Sequence, residues 1–247
     1  MNALVTGATR GIGRAVAGRL AERGVRLALH YHRSAAAAEA LAKTLPGAGH
    51  VAIAGDLTES AAAAAVWQAA VAALGSIELL INNAGIYELH PPLEVDLAGW
   101  QSAWRRTLQA NLIAPADLCW LAAQAMAPAG GGRIVNVSSR GAFRGEPSAP
   151  GYGAAKAGLN ALSQSLARAL ADRAVLVFSV APGWVDTDMA AEHLQGARRA
   201  EILAQQPAGR VATADEIATT IVFCALDAPA PMTGSIIDVN GASYLRT

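Results

Sequence analysis

The 247-residue sequence predicts an α/β fold: one domain over residues 1–247, built on an open, doubly wound parallel sheet of about seven strands with helices on both faces. Three observations carry this expectation. Short apolar runs of β type alternate along the chain with longer alanine-rich stretches of helical spacing. Several of the short runs, such as Leu79-Leu80-Ile81 and Val175-Leu176-Val177-Phe178, are continuously apolar rather than alternating, as strands covered by helices on both faces are. No linker, charge block or repeat interrupts the pattern, and α/β units often run past about 200 residues as one domain.

The strands are expected at Ala3–Thr6, Val25–Tyr31, His50–Ala54, Ile77–Ile81, Arg133–Val137, Val175–Val180 and Ser235–Val239. Helices are expected between them at Ile12–Arg23, Ala35–Leu45, Ser60–Leu74, Leu97–Met126, Tyr152–Asp172, Ala190–Leu203 and Asp215–Leu226, where alanine runs supply the strongest intrinsic helix former. Gly24 and Gly75 follow two of these stretches as helix stops, and Thr213 with Glu216 forms a capping box before the last helix.

Composition excludes several function classes. The 19 Lys+Arg balance the 19 Asp+Glu and only 15% of residues are charged, which argues against a nucleic-acid or anionic-membrane partner. At 53% hydrophobic the chain buries a core and is not disordered. Cys119 and Cys224 lie in apolar stretches without a CxxC, as reduced structural thiols of a cytoplasmic protein do. Neither a secretory leader nor an apolar run of about 18 residues is evident, and no histidine cluster has metal-ligand spacing.

Directly after the first strand stands Thr6-Gly7-Ala8-Thr9-Arg10-Gly11-Ile12-Gly13, opening a helix. Glycines there permit a tight turn and let the backbone approach a pyrophosphate held by helix N-terminal amides, so Gly7, Thr9, Arg10, Gly11, Ile12 and Gly13 are candidate cofactor contacts. The spacing is not G-x-G-x-x-G, and a tight connection without a ligand is the competing reading. After strand two, no Asp or Glu occurs between Val25 and Ala38, where a carboxylate would take a ribose 2′-hydroxyl. Arg33, next to Ser34, and Arg10 can instead hold a 2′-phosphate, which favours NADP(H) over NAD(H); an exposed loop cation is the lesser, competing reading of Arg33. Asp56-Leu57 and Asn82-Asn83-Ala84-Gly85 follow strands three and four, where open α/β sheets bind ligands. Asp56 also suits a helix N-cap, and Asn-rich segments are common as plain turns.

The glycine turn, Asn82 to Gly85, Asn111, Ser139, Tyr152 with Lys156, and Pro182-Gly183 together resemble the short-chain dehydrogenases/reductases, in order and spacing over essentially the whole chain. The resemblance implies a Rossmann-type fold and an oxidoreductase moving a hydride between NADP(H) and a carbonyl or alcohol. It implies Tyr152 as the acid/base and Lys156 as its partner, both also touching the cofactor. It selects Ser139 over Ser138 for polarising the substrate carbonyl, and assigns Asn111 to a water in the proton relay. Elementary chemistry agrees: hydride addition to a ketone leaves an alkoxide that needs a proton, and a free tyrosine is too weakly ionised to exchange one readily. A lysine four residues on shares a helical face, and a cation at ~4 Å in a dielectric of about 20 contributes ~4 kcal/mol, so Lys156 is expected to lower the Tyr152 pKa by up to roughly 3 units.

The resemblance further places Arg33 and Ser34 at the second-strand cofactor site, Asp56 and Leu57 beside the adenine, and Asn83, Ala84 and Gly85 along the ribose and nicotinamide. Val185 and Thr187 would contact the carboxamide. Residues 188–207 are the expected substrate lid, with His90, Phe143, Arg144, Glu146 and Trp184 as candidate pocket neighbours that read as readily as surface or interface residues, while Asp186 and Asp188 need only loop or cap duties. Within the family the motifs look most like 3-oxoacyl-acyl-carrier-protein reductases, so the substrate is a small-molecule or acyl-thioester carbonyl. The run His30-Tyr31-His32-Arg33-Ser34 is instead similar to pteridine reductases, which adds His32 to the NADPH contacts; those enzymes carry an acid where Ser139 stands. A non-catalytic NADP(H) sensor or scaffold is the reading from another class. Family members imply a homotetramer or homodimer built on Leu97–Met126 and Tyr152–Asp172.

Overall fold

The computed structural model describes residues 1–187, 190 and 195–246. Strands β1 (Asn2–Val5), β2 (Arg26–Tyr31), β3 (Val51–Ala54), β4 (Leu79–Asn82), β5 (Gly132–Val137) and β6 (Val175–Pro182) alternate with helices α1 (Gly11–Glu22), α2 (Ala35–Thr44), α3 (Ala62–Leu74), α4 (Leu97–Leu108), α5 (Ala114–Met126), the short α6 (Gly141–Arg144) and α7 (Pro150–Leu170). The remainder adds β7 (Val185–Asp186), α8 (Gly196–Ala204), β8 (Ala212–Thr213), α9 (Ala214–Val222) and β9 (Ile236–Val239). Seven strands form one parallel sheet in the order β3-β2-β1-β4-β5-β6-β9, while β7 and β8 pair separately. This is the doubly wound Rossmann-type sheet that the alternation predicts.

Why the strands are apolar throughout is visible in the two cores. Ala3, Val5, Leu27, Leu29, Leu79, Ile81, Val135, Phe178 and Val180 face Val16, Leu20, Ile217 and Ile221 of α1 and α9. Their strand neighbours Leu4, Ala28, Leu80, Ile134, Val175 and Val177 face Val66, Trp67, Leu118, Ala122 and Met126 of α3 and α5 on the other side. Period-two alternation therefore sends every second side chain into a different core, each large one stabilising by roughly 1.5–3 kcal/mol.

The sequence expects one uninterrupted helix over Leu97–Met126. The structure instead inserts a π turn, Gln109–Ile113, between α4 and α5. Its buried Asn111 clamps the segment that follows β4: Oδ1 accepts from Ile86 N and Nδ2 donates to Ile86 O, both at 2.8 Å. A second π turn, Phe223–Asp227, extends α9, whose Thr213/Glu216 capping box is present as expected. Both cysteines are unpaired and buried. Among the described residues, no helix is long and apolar enough to cross a membrane.

Strand order reverses where β1 lies between β2 and β4, so the connections leaving the carboxyl ends of these strands diverge to opposite faces and open a crevice. The site lies there.

Candidate active site

A cleft of about 800 Å³ runs along the carboxyl ends of the strands. Its lining includes every residue expected at a cofactor or catalytic position except Gly13 and Asn111, which stand behind the wall. Gly7 at φ +64° and Gly11 at φ +50° occupy left-handed conformations in the first turn. At Gly13 a Cβ would sit 2.2 Å from the Gly7 carbonyl oxygen and 2.5 Å from Asn83 Nδ2, so the helix closes on the turn only with glycine there. Helix α1 begins with no acidic side chain in its first turn and no side-chain capping bond from Arg10, leaving the positive end of the helix facing the cleft. A Cβ on Gly11 would lie 3.1 Å from the Thr187 methyl, so the β7 segment borders the same cradle. Residues and shape thus suit a dinucleotide pyrophosphate.

The turn is held from beneath by side chains that sequence reasoning passed over. Thr6 Oγ1 accepts from Asn83 N and Ala84 N, both at 2.9 Å, and Asn83 Nδ2 donates back to Thr6 O and Gly7 O. The Asn83 side chain is therefore committed to joining two loops, and only its surroundings border the cleft. His30 Nδ1 accepts from Gly7 N at 3.1 Å while Nε2 contacts Gly55 O at 3.1 Å, fixing the neutral tautomer with the proton on Nε2. Burial pushes His30 down to about 4, so it stays neutral. A histidine inside the apolar run Leu27-Ala28-Leu29 was the available signal. Asp56 is not the N-cap of α3, where Ala61 stands; it accepts from Thr58 N and Oγ1 and meets His32 Nε2 at 3.1 Å. Those bonds, with His32 and Arg33 nearby, hold its carboxyl below the usual range although partial burial opposes them.

At the opposite end, β5 delivers Ser139 and α7 delivers Tyr152 and Lys156, one helical turn apart. Ser139 Oγ accepts from Gly141 N at 3.0 Å, and its hydroxyl acts on the neighbouring Tyr152 phenol to lower its pKa. Ser138 also lines the cleft, but its hydroxyl donates to Lys156 O at 3.3 Å. Lys156 is buried, donates from Nζ to Val137 O at 2.7 Å, and sits 5.7 Å from the centre of the Tyr152 ring. Burial pushes Lys156 down to about 8.

One expectation is overturned: Tyr152 is pushed up to about 12, not down. Burial is the largest cause, the Glu146 carboxylate adds to it, and only the Ser139 bond opposes it. The spacing correctly puts Lys156 on the tyrosine's face, but its ammonium is turned to the Val137 carbonyl and is itself desolvated.

The other expected pocket neighbours divide. Trp184 and Glu146 line the cleft. Phe143 instead stacks on Tyr244 at 6.5 Å beneath the Arg246 guanidinium, and Arg144 is exposed. His90 is buried under Trp100 and accepts through Nε2 from Gly151 N at 2.9 Å, satisfying an amide in the first turn of α7. Below the cleft, Asn82 Nδ2 donates to Asn136 Oδ1 at 2.9 Å and Asn136 Nδ2 to Ser163 Oγ at 2.8 Å, a buried network tying β4, β5 and α7. Of the expected lid, Ala190 lines the cleft and Gln205, just after α8, accepts from Arg140 in the cleft wall; residues 188–189 and 191–194, Asp188 among them, fall outside the described residues.

Residues 1–198 match the family model described as short chain dehydrogenase. A cis-4-hydroxycyclohexanecarboxylate dehydrogenase of Sinomonas cyclohexanicum is 40% identical over 97% of this chain and 94% of that protein. The 3-oxoacyl-[acyl-carrier-protein] reductase FabG of Escherichia coli K12 is 38% identical over 98% and 97%. Among solved structures, the angucycline C-6 ketoreductase LanV with bound NADP superposes with a TM-score of 0.88 at 30% identity, covering 98% of this chain and 95% of that one. With the cradle, the serine, tyrosine and lysine on one cleft and these relatives spanning nearly its full length, the chain belongs to the short chain dehydrogenase family of oxidoreductases.

Proposed function

We propose that the protein is an NADPH-dependent carbonyl reductase of residues 1–247 with a lid near 188–207, acting on a ketone such as a 3-oxoacyl thioester. The observation that carries this is the convergence of Ser139, Tyr152 and Lys156, whose Nζ lies 5.7 Å from the centre of the Tyr152 ring, on the same cleft as the glycine cradle. Gly7, Thr9, Arg10, Gly11 and Ile12 would hold the pyrophosphate side, Asp56 and Leu57 the adenine, and Val185 and Thr187 the nicotinamide, which when bound supplies the hydride. Ser139, its oxygen oriented by Gly141 N, directs its O–H at the carbonyl oxygen and stabilises the developing charge. Tyr152 then gives its proton. At about 12 the phenol is a weak acid in water, yet an alkoxide, with a conjugate acid near that of water at ~15.7, takes its proton downhill. The raised pKa keeps the donor loaded across the physiological range and suits reduction over oxidation. Lys156, mostly ammonium at neutral pH, stabilises the tyrosinate that remains, and Asn111 shapes the wall beside it.

A base held at about 8 is charged below that pH and neutral above it. The kcat/KM for reduction should therefore fall as pH rises through about 8, and this limb should vanish in Lys156→Arg, whose guanidinium does not titrate. A profile flat to pH 9.5 would contradict the role.

Arg10, Arg33, His32 and Ser34 line the cleft at the end of β2 without a carboxylate on that strand end, which supports a 2′-phosphate. Arg33→Glu should lower the NADPH-over-NADH ratio of kcat/KM by roughly 10- to 100-fold, measured by initial rates. An unchanged ratio assigns Arg33 to the solvent.

The intact Ser139, Tyr152 and Lys156 favour catalysis over a sensor or scaffold, and Ser139 favours a ketone over a pterin. We also propose a cytoplasmic homotetramer or homodimer without nucleic-acid or membrane partners: Ile113 at the end of the π turn and Trp120 of α5, 45% and 60% exposed, supply an apolar surface for a second copy. NADPH oxidation followed with a panel of ketones tests the reading.

A further inference from the structure

Resting on the reading that this cleft reduces a ketone, we infer that the substrate also carries a carboxylate, anchored by Arg140. Arg140 follows Ser139 directly, lines the cleft, and is only 5% exposed. Its backbone is fixed by a 2.8 Å bond from Arg140 N to Pro182 O. Its guanidinium is not: among the described residues Nη1 has no hydrogen-bond partner, and Nη2 reaches only the Gln205 amide oxygen at 3.3 Å. Arg144 Nη1 donates to the same oxygen at 3.0 Å, so two cations share one neutral acceptor supplied from the end of α8.

A guanidinium offers five N–H donors, and burying its charge without an anion is costly, so such an arrangement is the empty half of a fork-to-carboxylate pair. No carboxylate forms an ion pair with Arg140 among the described residues. Burial and the neighbouring Arg144 disfavour its charge, and the Glu146 carboxylate offsets them only through space, without an ion-pair contact. Glu146 accepts from the Tyr87 phenol at 3.3 Å, and Glu88 is bound by both arms of Arg106. The other cations of the cleft have separate duties, Arg10 and Arg33 at the far end and Lys156 beneath Tyr152. Arg140 is the buried cation left facing the substrate half, beside the serine that receives the carbonyl. A substrate carboxylate would replace the shared Gln205 oxygen with two charged acceptors and set the ketone at a defined distance from its acid group.

The test compares ketones bearing a carboxylate with the matching primary carboxamides, equal in size and lacking the charge, at fixed NADPH. Wild-type enzyme should prefer the acids by roughly 10- to 100-fold in kcat/KM, the worth of a charged hydrogen bond. That ratio should collapse toward one in Arg140→Gln and survive in part in Arg140→Lys. Equal rates for acid and amide, or neutral 3-oxoacyl thioesters outrunning both, would overturn the inference. Should Arg140→Gln fail to fold, the wild-type ratio decides alone. Should no ketone be reduced, the reductase reading fails, and calorimetric titration of wild-type protein with cyclohexanecarboxylate against cyclohexanecarboxamide decides the arginine site: selective binding of the acid supports it, equal or absent binding of both refutes it.

Discussion

Tyr152→Phe should lower kcat for ketone reduction by about 10²- to 10⁴-fold, equivalent to roughly 3–5 kcal/mol in the barrier. The substitution removes one oxygen and little else. The Tyr152 ring packs edge-on against Tyr87 with centroids 5.0 Å apart, a contact phenylalanine keeps, and the Gly141 amide bond to Ser139 persists. What is lost is the proton, since phenylalanine has no hydroxyl to donate and Lys156 is bonded to Val137 O. NADPH affinity measured by fluorescence should survive while turnover does not. Retention of both would remove Tyr152 from the chemistry, and loss of both would make it a structural residue.

Gly13→Ala should be nearly as damaging by another route. The added methyl would lie 2.2 Å from Gly7 O, a backbone atom that is itself bonded to Asn83 Nδ2, so neither neighbour yields cheaply. Overpacking of this kind costs about 1–3 kcal/mol, which for a chain of this size lowers Tm by several degrees, on the order of 5 °C. The larger effect falls on NADPH binding, because relief of the clash moves the turn that forms the cradle. Gly18→Ala is the contrasting case on the same helix: a Cβ there meets nothing within 4 Å, and alanine should stabilise by roughly 0.5–1 kcal/mol. Calorimetry with NADPH and thermal melts of the two variants separate helix propensity from turn geometry; equal NADPH affinity in Gly13→Ala would contradict the cradle.

The sheet was legible because burial on both faces leaves the same mark, an unbroken apolar run, wherever a strand lies, and Leu79-Leu80-Ile81 shows it plainly. The π turn at Gln109–Ile113 was not, because its extra residue is set by the bond between Asn111 and Ile86, far apart in sequence, and a helical period carries no trace of it. Site positions followed the motifs closely, but their electrostatics did not. Spacing placed Lys156 on the face of Tyr152, whereas the sign of the tyrosine's shift depends on how deeply both are buried and on the Val137 carbonyl. Thr6 and His30 were hidden for a related reason: each is a polar residue at a strand end whose partner, Ala84 N or Gly7 N, is known only once loops meet. Nothing in the sequence singles out Arg140, because its want of an ion-pair partner is a property of the folded cleft.

The central claim is that this cleft moves a hydride from NADPH to a ketone while Tyr152 supplies the proton. The most direct measurement uses NADPH deuterated at the transferring position, a panel of ketones and mass spectrometry of the products, with wild type beside Tyr152→Phe. The account predicts an alcohol carrying the label on its carbinol carbon with wild type, and little or none with the variant. Equal labelled product from both proteins, or an alcohol without the label, would contradict it.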